Sequence, residues 1–193
     1  MIFLLVAIML IVPVGCGGPS ENKKPNETNT PMPEEQEVEE PEETDAGNDE
    51  DEDVEIIEAF PNAEYVAIAD DQISAMKEEV RSLELIEEAR IDGEMAGYRI
   101  LITPNGYGGR MEVFTYIDLD GKILQVEIGE HGETEGIGSA VKDPKFLRGF
   151  TNISSEEEIT AVDGIAGATF SSGGVKDGIT RALNIYTDFL GNR

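Results

Sequence analysis

The chain has 193 residues, with 41 acidic residues against 14 basic ones and a formal net charge of −27. That sign excludes a nucleic-acid binder, because phosphate contacts need a basic footprint. A single Cys and a single His exclude a disulfide framework, a Cys/His zinc site and a two-cysteine redox centre.

Residues 1–16 are uncharged and mostly apolar, ending in Pro13-Val14-Gly15-Cys16, with Gly17 next. A run of about 15 apolar residues is short for a membrane-spanning helix and suits the core of a signal peptide. A small residue before a lone Cys, followed by Gly and a polar stretch, resembles a bacterial lipoprotein signal. That resemblance implies lipidation of Cys16 and attachment to the membrane through more than one acyl chain. Pro13 stands where such signals usually carry Leu, and the alternative is a short uncleaved anchor with an incidental Cys. Both readings export the rest of the chain, and a domain without further cysteine suits that compartment.

Residues 17–57 read as a tether. Between residues 20 and 58 there are 17 acids and 2 Lys, with Pro25, Pro31, Pro33 and Pro41 and almost no large apolar residue before Val54. Such a composition buries too little surface to offset its ordering entropy, so an extended, self-repelling, disordered segment is expected. Residues 58–193 then suit one compact domain.

Within that domain the spacing of Ile73, Met76, Val80, Leu83 and Ile86 predicts a helix over residues 70–90. Residues 98–103 are apolar and rich in β-formers, and Pro104-Asn105-Gly106-Tyr107-Gly108-Gly109 breaks the chain. Val113, Thr115 and Ile117 alternate with Glu112, Phe114 and Tyr116, and Asp120-Gly121 turns into residues 122–128, which together predict a hairpin. Val175, Ile179, Ala182 or Leu183, Tyr186 and Leu190 mark an amphipathic helix at the end of the chain. The expected fold class is α+β, a twisted antiparallel sheet packed with an N-terminal and a C-terminal helix.

The chemistry lies just before that last helix, in Asp163-Gly164-Ile165-Ala166-Gly167-Ala168-Thr169-Phe170-Ser171-Ser172-Gly173-Gly174. Ser171 or Ser172 is a natural N-cap, and the unpaired amides beyond it make a candidate phosphate seat beside Thr169. On physics alone a plain capped loop explains the same residues.

This stretch resembles the flavinylation motif of the FMN-binding domain family, in which Asp, two residues, Ser or Thr, then Gly-Ala-Thr carry FMN as a phosphoester on the Thr. Asp163 opens the motif here, Gly167-Ala168-Thr169 matches its centre and Ser171-Ser172 its hydroxyl-rich tail, while Ala166 replaces the usual hydroxyl residue. Glu130-His131-Gly132-Glu133-Thr134-Glu135-Gly136-Ile137-Gly138 is similar to a second stretch of the family, with Glu135 in place of Pro. Gly106-Tyr107-Gly108-Gly109, Phe60-Pro61 and residues 146–150 fit as well, in the same order. The resemblance spans residues 58–191. It implies FMN on Thr169, with Asp163, Gly167, Ala168, Ser171, Ser172, His131, Glu133, Thr134 and Tyr107 as cofactor-binding residues.

His131 invites an acid–base reading, but electron transfer requires no proton relay there and a packing role is favoured. Glu127, Glu130, Glu133 and Glu135 lack calcium-loop spacing and read as a solvated face. The resemblance implies an electron carrier rather than an autonomous enzyme. It would be matured by a flavin transferase and held by lipid on the extracytoplasmic face of the cell membrane. There it would exchange electrons with a membrane donor and an extracytoplasmic acceptor, or with the other members of a redox complex. The G subunit of an Rnf-type complex and a flavin-free binding module are the alternatives.

Overall fold

The structure, a computed structural model, describes residues 58–191. The anchor expected over residues 1–16, Cys16 itself and the tether expected over 17–57 lie outside the described residues.

Five strands form one antiparallel meander in the order β1-β2-β3-β4-β5: β1 Glu64–Ala67, β2 Leu83–Ile91, β3 Glu94–Ile102, β4 Met111–Asp118 and β5 Ile123–His131. Two tight turns set the register. Asp92 and Gly93 both have positive φ (53° and 82°), the conformation of a two-residue hairpin whose twist matches its strands. At the β4–β5 turn the Asp118 carboxylate accepts the amides of Asp120 and Lys122 at 2.9 and 2.8 Å, and Gly121 takes the left-handed position.

Ile100, Ile102, Met111, Val113, Ile117 and Val126 cover one sheet face and are all buried. Helix α4 (Thr169–Ile185) lies against this face through Val175, Ile179, Ala182 and Leu183, and α1 (Asp70–Glu79) adds Ile73 and Met76 to the same core. Each fully buried aliphatic side chain contributes about 1.5–3 kcal/mol, and this cluster is the main source of stability. The opposite face carries a smaller cluster of Phe60, Ala89 and Tyr116. There the Arg99 guanidinium lies 4.2 Å from the Tyr65 ring centre and pairs with Glu87 at 2.5 Å.

The α+β class, the β4–β5 hairpin and the C-terminal helix agree with the sequence. The first helix does not: it ends at Glu79, and Leu83–Ile91 is a strand. The cause is visible in the ladder. A bulge between Leu83 and Leu85 separates the buried Leu83 and Ile86 by three residues instead of two. Ala89, three further on, is buried on the other face beneath Phe60 and Tyr116. Three buried positions at a spacing of three imitate a helix. The strand β1 and the short helices α2 (Pro144–Arg148) and α3 (Glu156–Ala161) were not foreseen. The α3 start is nevertheless a capping box: Ser155 Oγ accepts the Glu158 amide, and the Glu158 carboxylate accepts the Ser154 amide at 3.1 Å. The Ser154 amide, and the Ser155 hydroxyl donating to the same carboxylate at 2.8 Å, hold the Glu158 carboxyl below its ordinary pKa.

Candidate functional site

The N-terminus of α4 meets the β3–β4 turn because α4 carries glycine where it must come close. A Cβ on Gly174 would stand 2.6 Å from the Asn105 carbonyl oxygen, and one on Gly178 would press Pro104 and Val113 at 3.1 Å. With hydrogen there, the helix settles onto Pro104 and Asn105 and brings residues 106–109 beside its first turn. A left-handed Gly167 (φ 80°) turns the preceding loop, and the Ser172 amide makes the first helical bond to the Ala168 carbonyl at 2.9 Å. Lys176 ties α4 to the end of α3 by donating to the Thr160 carbonyl at 3.0 Å and to the Val162 carbonyl.

A cavity of about 420 Å³ opens at this junction, lined by Tyr107, Glu133, Thr134, Ile137, Gly138 and residues 167–171. Its rim is apolar and unusually exposed: Tyr107 is 75 % accessible, Phe170 74 % and Ile137 56 %. The Tyr107 and Phe170 rings stand 6.4 Å apart between centres, tilted by 48°. Thr169 is exposed at the first position of α4. Its amide and those of Phe170 and Ser171 have no acceptor within the helix, and the positive end of the helix dipole faces whatever binds there.

Of the residues singled out in the sequence, Thr169, Gly167, Ala168, Ser171, Glu133, Thr134 and Tyr107 gather around this cavity. Three do not. Asp163 sits on the exposed approach to the loop. Ser172 turns inward, its Oγ accepting the Ile165 amide and donating to the Ala168 carbonyl at 2.9 and 2.8 Å. His131 lines the neighbouring groove with Glu112, Glu127, Glu130 and Lys142, and its Nδ1 accepts the Glu133 amide at 3.3 Å. The expected caps are also corrected. Helix α4 begins at Thr169 with Ala168 as N-cap and no side-chain cap, so Ser171 and Ser172 lie inside the first turn and are buried. Among the described residues no group of three or more His, Cys, Asp or Glu side chains could hold a metal ion.

Phe170 and Ile137 were not foreseen. Phe170 precedes the apolar stripe of α4 at Val175, Ile179 and Ala182 and so projects outward beside Thr169. A large ring off the buried stripe of an amphipathic helix was the available signal.

Size and chemistry fit FMN. The volume falls in the range of cofactor pockets, the exposed rings offer flat apolar surfaces, and a hydroxyl at a helix N-terminus suits a phosphate. Residues 106–184 match the model of the FMN-binding domain. Over 107 residues the chain is 31 % identical to the G subunit of the Na(+)-translocating ferredoxin:NAD(+) oxidoreductase complex of Acetobacterium woodii, covering 49 % of this chain and 51 % of that one. Over 104 residues it is 27 % identical to the G subunit of the proton-translocating ferredoxin:NAD(+) oxidoreductase complex of Clostridium ljungdahlii, covering 50 % and 56 %. The chain thus spans about half the length of the curated relatives it matches. In fold it is similar to the crystal structure of the C subunit of the Na(+)-translocating NADH-quinone reductase from Parabacteroides distasonis, with a TM-score of 0.50, 21 % identity, and coverage of 67 % of this chain and 78 % of that one. The segment of this chain from residue 106 to 184, which holds the cavity and Thr169, belongs to the FMN-binding domain family.

Proposed function

We propose that this protein carries electrons through one FMN joined by a phosphoester to Thr169. The observation that carries the reading is the exposed Thr169 at the first position of α4, on a cavity rimmed by Tyr107, Ile137 and Phe170. When bound there, the isoalloxazine supplies the redox chemistry. The chain's own part is to seat the phosphate on the amides of Thr169, Phe170 and Ser171, and to offer ring faces that keep water from one side. A phosphoester forms from a hydroxyl only as another group leaves the phosphorus. A flavin transferase with an activated flavin nucleotide is therefore the proposed source: the Thr169 proton is lost and the nucleotide's second phosphate departs.

The open rim supports exchange with docking proteins rather than a sequestered reaction. Such encounters are small and transient, and a net charge of −27 favours basic partners. Residues 1–16, with Cys16 as the lipidated residue, and the acidic 17–57 stretch support a carrier tethered on the extracytoplasmic side of the membrane. Among the described residues no helix is long and apolar enough to cross a membrane. A second reading, service within an ion-translocating redox complex, is favoured by the names of the relatives. Co-migration of the native protein with other redox proteins on a non-denaturing gel supports the complex, and migration alone supports the free carrier. The intact mass of the denatured native protein tests the flavin: a covalent FMN adds its mass, and a bare polypeptide mass contradicts the proposal.

A further inference from the structure

We propose that Glu133 is a positioning residue. It latches the Tyr107 turn to the first turn of α4 and thereby fixes the gap between the Tyr107 and Phe170 rings for a planar guest. This rests on the reading that FMN occupies the cavity. Glu133 is one of the few buried charged or polar side chains of the domain, 8 % exposed. One carboxylate oxygen accepts the Gly108 amide at 3.0 Å, and the other accepts the Ser171 hydroxyl. Both oxygens are thus engaged within the protein, one on each wall of the cavity. The flavin edge, the partner suggested by the motif, is not what they face.

The surroundings are shaped to admit this carboxylate. A Cβ on Gly138 would lie 2.5 Å from Glu133 Oε2, and a Cβ on Gly106 would meet Oε1. The Glu133 amide is pinned to His131 Nδ1 at 3.3 Å, which settles where the side chain starts. The Gly108 wall presents an N–H and needs an acceptor, and the second carboxylate oxygen serves the Ser171 hydroxyl. The latch matters because Tyr107 and Phe170 are three-quarters exposed and receive little packing of their own. Their centres are 6.4 Å apart, and a flat ring between two rings needs about 7 Å, twice an ordinary carbon–carbon contact. Small movements of the 106–109 turn relative to α4 therefore decide whether both rings touch the guest.

The test has one arm that needs no flavin. In the full-length flavin-free protein, Glu133→Ala should speed hydrogen exchange at the Gly108 amide by about tenfold or more, as expected when a bond to a carboxylate is lost. Exchange at the sheet amide of Val113 should stay slow, which reports an intact fold. Glu133→Gln, whose amide oxygen can still accept from Gly108, should restore most of the protection. In the flavin-loaded protein, Glu133→Ala and Ser171→Ala should each raise flavin emission at least twofold, because a ring no longer held against Tyr107 is less quenched. Should Glu133→Ala fail to fold, Ser171→Ala carries the test through the emission arm. Unchanged Gly108 exchange in a folded Glu133→Ala, or unchanged emission in Ser171→Ala, overturns the latch. A parent protein that never takes flavin contradicts the FMN reading instead, and the exchange arm still decides whether Glu133 joins the two walls.

Discussion

Thr115 shows how one atom can be diagnostic. It lies on the helix-facing side of β4 between Val113 and Ile117, fully buried, and its hydroxyl has no hydrogen-bond partner among the described residues. An unpaired buried hydroxyl costs its desolvation, so Thr115→Val should raise stability by about 1 kcal/mol in urea denaturation. A loss of stability would mean that the hydroxyl is paired in solution. Thr169 is the opposite case: an exposed hydroxyl with little structural work, whose replacement should leave the melting temperature nearly unchanged. Candidate residues of this kind are legible in a sequence when a short contiguous motif carries the resemblance. Gly167-Ala168-Thr169 stands out by its resemblance to the family's motif, since its residue types alone also fit a plain capped loop. Glu133 does not, since its role depends on Gly108 and Ser171, which lie 25 and 38 residues away along the chain.

At the scale of elements, α4 holds the site through its glycines. Gly173 and Gly174 are neighbours with opposite demands. A Cβ on Gly173 meets nothing within 4 Å, whereas one on Gly174 is driven into the Asn105 carbonyl. Gly173→Ala should therefore stabilise the domain by roughly 0.5–1 kcal/mol through helix propensity. Gly174→Ala should destabilise it by about 1–3 kcal/mol, because the clash is with backbone and the helix must move. Thermal melts of the two variants, made side by side, should shift in opposite directions. The same element is the plainest in the sequence, since its stripe from Val175 to Leu183 packs against a single sheet face. Strand β2 was misread because its bulge and its burial on both faces gave it a helical spacing. Its end was legible after all, in the Asp92-Gly93 pair that makes the β2–β3 turn.

For the whole molecule, charge and titration make two separate claims. Burial beneath Phe60 and Tyr65 pushes the Tyr116 phenol up to about 12. The Arg99 guanidinium opposes that shift, and the bond to Glu127 adds to it. Between pH 10 and about 12 the unfolded chain releases this proton while the folded one keeps it. Stability contributed by the neutral phenol is thus complete below pH 10 and lost as the pH rises through that window. Tyr65 and Tyr186 are raised in the same sense by burial. Urea midpoints measured from pH 9 to 12 should fall for the parent and fall less for Tyr116→Phe. The net charge of −27 acts at longer range: electron exchange with a basic partner should slow as ionic strength rises, while exchange with a small neutral oxidant should not.

The proposed electron-carrier function turns on whether Thr169 holds the flavin. The direct measurement is flavin fluorescence on a denaturing gel of parent and Thr169→Ala protein, each made together with a flavin transferase. A fluorescent parent band and a dark Thr169→Ala band of equal protein content are the predicted result. A dark parent band, or a Thr169→Ala band as bright as the parent, would contradict the account.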